Sequence, residues 1–343
     1  MTGRGSVSGP TTSAWWFRFD YGGSDTRRVT LTKKTSITVM PAPQLPTEST
    51  VLPKPFNLND TVRDVTDHFR KRLAGEADLC GLSTGYPRLD TFTKGLKPGL
   101  VFVAAARPAM GKTTLMLNIA EHICIDQKVP VMIVSCASTA FEIVQRIVFS
   151  RAGFAPRRLD QGYRPTKDDH ERIQQATMEM LSSKLFVDDA ISSIEAIRAQ
   201  ALQRKHDDNI GFLAIDHLQL LKSDSMQAGA SRKRAIAEIL SGIRSLAREL
   251  GIPILVLAEL NRGPERRRGK LAGVPRFSDI RSRRAVVKYA DMIGLLYREA
   301  YYRESQEDNK GEPAWLNLID LRQTDVLEIP LSFHPDTSRF EAI

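Results

Sequence analysis

From Leu100 onward, short apolar runs alternate with amphipathic stretches. The alternation predicts strands at 101–105, 129–135, 184–188, 210–216, 253–258 and 292–297. Between them apolar residues recur at helical spacing. Leu115, Ile119 and His122-Ile123 predict a helix over 113–125, and Ile236, Ile239, Ile243, Leu246 and Leu250 predict one over 232–250. Strands that alternate with helices in this way imply an α/β fold: a twisted, mainly parallel sheet with helices on both faces. The 316–340 stretch alternates with a period of two and reads as antiparallel strands at the sheet edge.

The pattern is different ahead of this region. Residues 1–55 are rich in Ser, Thr, Gly and Pro and read as a flexible leader. Within it, the aromatic cluster Trp15, Trp16, Phe17, Phe19 and Tyr21 could pair as a strand or dock on a partner. Asn59 or Asp60 can cap a short linker helix within 56–78, with Val62, Val65, Phe69 and Leu73 on one stripe and a stop near Gly75. The apolar face of such an isolated helix needs cover, and a neighbouring subunit could supply it. Residues 79–343 then form the main domain.

Composition narrows the setting. No apolar run approaches the roughly 20 residues of a membrane span, and the N-terminus has no apolar signal core. Cys80, Cys124 and Cys136 lack metal-ligand spacing and read as reduced thiols, which implies a cytoplasmic location. The net charge of +9 is concentrated: residues 262–288 carry ten Arg or Lys against Glu265 and Asp279. A basic segment inside a near-neutral domain points to a polyanionic partner.

The candidate chemistry begins where the first strand ends. Ala106, Arg107, Pro108, Ala109, Met110, Gly111, Lys112, Thr113 and Thr114 fit the phosphate-loop pattern G-x-x-x-x-G-K-[ST], with Ala106 in the first glycine position. Loop N–H groups and the helix N-terminus would surround the phosphates of a nucleotide triphosphate, Lys112 would reach the β- and γ-phosphates, and the Thr113 hydroxyl would bind Mg²⁺. Strand, loop and helix follow one another as such a site needs. Phe212-Leu213-Ala214-Ile215-Asp216 is a buried strand ending in an acid, where the second Mg²⁺ contact belongs.

With these motifs in order, residues 79–343 resemble the C-terminal RecA-like motor domain of the DnaB-type replicative helicases. Gly81-Leu-Ser-Thr-Gly-Tyr-Pro-Arg-Leu-Asp90 matches the family's opening segment, and the phosphate loop has its Ala-Arg-Pro form. Ile215-Asp-His-Leu-Gln-Leu220 and Ala258-Glu-Leu-Asn-Arg262 match two further blocks, and Asp279-Ile-Arg281 with Ala290-Asp291 brackets the DNA-contacting loop region. The resemblance implies a RecA-like phosphate-loop ATPase. It implies a homohexameric ring with ATP at subunit interfaces and single-stranded DNA through the hole, together with a helicase loader or other replisome proteins as partners. Lys112, Asp216, Glu259 and Arg322 would be catalytic, with Arg322 acting on the neighbouring subunit's ATP. Arg281, Arg283 and Arg284, on a basic loop, would track DNA phosphates. Gln219 and Glu259 would lie near the γ-phosphate and link nucleotide state to the DNA loops.

Four positions depart from the family pattern. Ala137 stands where a glutamate polarises the attacking water, and Glu259 stands for a sensor glutamine and could substitute as the base. Asp320 replaces a lysine two residues before Arg322, and 282–288 reads Ser-Arg-Arg-Ala-Val-Val-Lys, more basic than the family's loop. The helical domain that engages primase in the family has no counterpart in residues 1–55. Three readings follow: a helicase motor, an ATP- and DNA-binding ring protein with impaired hydrolysis that serves as an accessory or regulator, and another RecA-type ATPase. The loop and the Leu-Gln-Leu block weigh against the third.

Overall fold

A computed structural model describes residues 80–223, 231–267, 272–302, 311–321 and 326–343, with 59, 62, 63, 66 and 70 ahead of them. Six parallel strands occupy the predicted apolar runs: β1 (Val101–Ala106), β2 (Val131–Ser135), β3 (Leu185–Asp188), β4 (Phe212–Asp216), β5 (Ile254–Glu259) and β6 (Met292–Arg298). The later alternation forms β7 (Glu312–Asp320), β8 (Val326–His334) and β9 (Arg339–Ala342), paired antiparallel. All join one sheet in the order β3-β2-β4-β5-β1-β6-β7-β8-β9. Strand β2 starts later than its apolar run because Pro130 has no N–H for the ladder.

Both faces of the sheet are covered, as the uniformly buried parallel strands require. Phe102, Ala104 and Ala106 of β1 pack in the cluster that holds Leu115, Met116 and Ile119 of helix α2 (Lys112–Glu121), which follows α1 (Pro87–Thr93). On that side lie also α3 (Ala140–Ala152), α4 (Arg157–Asp160) and α5 (Lys167–Leu181). Val101, Val103 and Ala105 face the other cluster, built from α6 (Ile194–Asp208) and α7 (Arg232–Leu250). The sequence of α7 explains its length. The Ser231 hydroxyl accepts the Arg234 N–H at its start, Gly251 ends it in a left-handed conformation, and Ile236, Ile239, Ile243, Leu246 and Leu250 share its buried stripe. The predicted helix over 113–125 is found, but beyond Glu121 it widens into a π-turn, His122–Asp126.

The short α8 (Gly263–Arg266) follows β5. Beyond it the basic segment differs from expectation: the stretch expected as a loop contains a helix, α9 (Arg283–Tyr289). Burial of Ala285 and Val286 against α7 holds its inner face. Two adjacent apolar positions among arginines give too short a pattern to announce a helix in the sequence.

Strand β9 is fastened to α2. The Phe340 N–H donates to Asn118 Oδ1 at 2.9 Å, and Arg339 pairs with the buried Glu121 at 3.3 Å. Residues 59, 62, 63, 66 and 70 are helical and exposed, whereas Val65, Phe69, Leu73 and the aromatic cluster lie outside the described residues. Truncating a large side chain in the α7 stripe removes contacts that neighbours cannot restore. Ile243→Ala should lower stability by about 2–5 kcal/mol, read as a fall in the urea midpoint at unchanged slope.

Candidate functional site

The carboxyl ends of β1, β4 and β5 meet beside the first turn of α2, where ligands of open α/β sheets bind. Ala106 ends β1 and is fully buried. Its carbonyl accepts the Leu260 N–H at 3.1 Å, so the glycine position of the pattern is here an ordinary strand residue. The loop then turns through Ala109 at φ 62° and Gly111 at φ 90°. Gly111 is also packed closely, since a Cβ there would come within 2.9 Å of the Phe340 ring. Met110 is buried beneath the loop, and Pro108 and Ala109 are exposed at its crest.

Arg107 does not turn its side chain to the loop. It is buried, bonded through Nη1 to the Leu260 carbonyl at 2.8 Å and through Nε to Glu265 at 2.7 Å, and so anchors the loop to the segment after β5. Lys112 Nζ lies 3.2 Å from the Arg107 carbonyl. Burial pushes the Lys112 pKa down, and the nearby carboxylates of Glu259 and Asp216 push back, Glu259 the more strongly.

Thr113 Oγ1 donates to Asp216 Oδ2 at 2.7 Å. A hydroxyl and a carboxylate at that separation are a hard-oxygen pair suited to Mg²⁺, so the donor set fits the expected ion. Thr114 lines the cleft next to Thr113. Beyond Asp216, His217 Nδ1 lies 3.5 Å from Asp216 Oδ1, and its Nε2 lies 3.8 Å from Glu259. Gln219, in the short turn Leu218–Leu220, accepts the Glu259 N–H at 3.0 Å, while its own Nε2 is buried without a partner among the described residues. Two expected ligands, one expected linker and Glu259 thus converge.

A cleft of about 410 Å³ opens beside the loop, lined by Gly111, Lys112, Thr113 and Thr114 and by three arginines that sequence reasoning missed. Arg146 of α3 and Arg157 of α4 are exposed, and neither is ion-paired among the described residues. Arg298, at the end of β6, is buried, pairs with Glu312 and donates to the Ala109 carbonyl at 3.1 Å. Arg298 had a visible cue, a charge closing a fully apolar strand. Arg146 and Arg157 had none, because only tertiary packing brings α3 and α4 to the loop.

At the end of β2, Ala137 is exposed and Ser135 and Ser138 bond each other. Arg281, Arg283 and Arg284 lie together at the start of α9, all exposed and none ion-paired among the described residues. The flanking acids are spent on structure. Asp279 holds Arg267 at 2.7 Å, and Asp291 binds Arg244 and the Val101 N–H. Asp320 closes β7 opposite Met292, and Arg322 lies outside the described residues.

Comparison with known proteins agrees with the fold described above. A family model described as the DnaB-like helicase C terminal domain matches residues 81–342. The chain is 29% identical over 290 residues to the replicative DNA helicase DnaC of Bacillus subtilis (strain 168), covering 83% of this chain and 61% of that protein. It is 34% identical over 267 residues to the replicative DNA helicase DnaB of Buchnera aphidicola subsp. Baizongia pistaciae, covering 77% and 56%. The chain therefore spans about three-fifths of the length of these curated relatives. Among solved structures, one described as an ATPase domain superposes with a TM-score of 0.74 at 24% identity, covering 84% of this chain and 99% of that one. A DnaB-like replicative helicase described with its interactions with primase gives 0.71 at 25% identity, covering 84% and 67%.

The two unpaired arginines of the cleft carry a test. Replacing Arg146 and Arg157 together by Ala should weaken binding of a fluorescent ATP analogue at least about tenfold, the scale of two charge-assisted hydrogen bonds. Melting temperature should stay unchanged, since both side chains are exposed.

Proposed function

Because the chain belongs to the family of DnaB-like helicase C-terminal domains, we propose that it is an ATP-driven motor that moves along single-stranded DNA as a six-membered ring. The observation that carries this reading is the Thr113–Asp216 pair beside the phosphate loop, at the carboxyl end of a parallel sheet. Loop N–H groups and Lys112 would hold the phosphates, and Thr113 and Asp216 would hold Mg²⁺. The bound ion would neutralise charge on the β- and γ-phosphates as the bond between them breaks. Arg281, Arg283 and Arg284 would grip the DNA backbone without reading bases, and Arg322 would complete a neighbour's ATP site. Loader and other replisome proteins are the expected partners, and no described helix is long and apolar enough to cross a membrane.

Ala137 favours a second reading. Its methyl group cannot orient water, so the chain would bind ATP and DNA in a ring while hydrolysing slowly and acting as an accessory. Turnover separates the two. A motor hydrolyses ATP faster with single-stranded DNA present, and Lys112→Ala abolishes this; turnover of the native chain no higher than that of Lys112→Ala leaves only the binding role. Changing Arg283 and Arg284 together to Ala should weaken DNA binding and reduce the slope of log affinity against log salt by about 1.4, at ~0.7 per lost single-strand phosphate contact. An unchanged slope takes both residues out of the DNA path.

A further inference from the structure

If the ring turns over ATP, some group must orient the attacking water, and the strand ends show which one is available. Strand β5 lies between β1 and β4 in the sheet, so its last residue, Glu259, stands between the phosphate loop and Asp216. Glu259 is level with Ala106 across the β1–β5 pair. Continuing the β4–β5 register sets Asp216 beside Leu257, two residues before Glu259, so both acids project to the face that carries α2.

Four other acids near the ends of β2 to β5 are committed. Asp216 accepts the Thr113 hydroxyl, and Glu265 holds Arg107. Asp188 accepts the N–H groups of Ala190 and Ile191, and Asp189 accepts that of Ala140. The Glu259 carboxylate makes no hydrogen bond among the described residues, and the ring nitrogen Nε2 of His217 lies 3.8 Å away. Its backbone is held nonetheless, because Gln219 accepts its N–H. A carboxylate that is fixed at its root, uncommitted at its tip and close to Lys112 is what an in-line attack on a γ-phosphate requires.

We infer that Glu259 is the catalytic base of this chain, orienting the water for attack and taking its proton. The water oxygen forms a bond to the γ-phosphorus while the bond from that phosphorus to the β,γ-bridging oxygen breaks. The bridging oxygen leaves with its electron pair on ADP. The water proton passes to Glu259 and from there to the departing inorganic phosphate or to solvent. Base function thus sits on β5 instead of on the end of β2, where Ala137 stands.

This inference rests on the motor reading, and the experiment separates their failures. Glu259→Gln keeps shape and removes the proton acceptor. Turnover should fall about 10²-fold or more, while the affinity for a fluorescent ATP analogue stays within about threefold. The preference for ADP–aluminium fluoride over ADP, measured by the same titration, should fall with turnover. Adding Ala137→Glu to Glu259→Gln should then raise turnover at least about tenfold, because a carboxylate returns after β2, on the far side of β4 from Glu259. Native-like turnover in Glu259→Gln overturns the inference and leaves the motor intact, as does a loss of nucleotide affinity that matches the loss of turnover. Native turnover equal to that of Lys112→Ala overturns the motor reading itself, and the inference with it.

Discussion

The Thr113 hydroxyl reaches the Asp216 carboxylate across an intervening strand, because β5 separates β1 from β4. That reach constrains everything beneath it: α2 must descend toward the sheet at its N-terminus. The residues that face it taper to suit. On β1 the sequence runs Phe102, Ala104, Ala106, and on β4 it runs Phe212, Ala214, Asp216. Large rings fill the space under the far end of the helix, and methyl groups admit its first turn. A bulkier residue at Ala104 or Ala214 would lift α2 and separate the Thr113 hydroxyl from the Asp216 carboxylate.

Arginine does two different jobs around this centre, and pairing tells them apart. Arg107, Arg244, Arg267 and Arg298 are each bound to a carboxylate, and they tie together segments distant in the chain. Arg107 is the clearest case, since its position in the phosphate loop suggested a ligand and its side chain is a tether. Arg146, Arg157, Arg281, Arg283 and Arg284 are exposed to solvent without carboxylate partners among the described residues. Guanidinium groups left in that state leave the field of the surface positive where an anion can use it.

Much of this was legible in the sequence for physical reasons. A parallel strand covered on both faces must be apolar throughout, so β1, β4, β5 and β6 could be read almost to the residue. The phosphate loop is local, and its chemistry follows from spacing. What escaped was tertiary. Nothing in the α3 sequence says that Arg146 meets the loop, and α9 hides its two buried residues among arginines. The π-turn after α2 preserves the helical pattern while changing its geometry, so periodicity could not reveal it.

The closeness of Gly111 to Phe340 couples the two ends of the folding problem. The phosphate loop turns beneath the aromatic ring of a strand that lies over 200 residues later in the chain, and that strand is bonded to α2 through Asn118. Contacts of such long sequence separation are entropically costly to close and form late. During synthesis the loop is therefore translated long before the surface that shapes it. The native turn of the loop should be completed only when the sheet edge has been zipped into place.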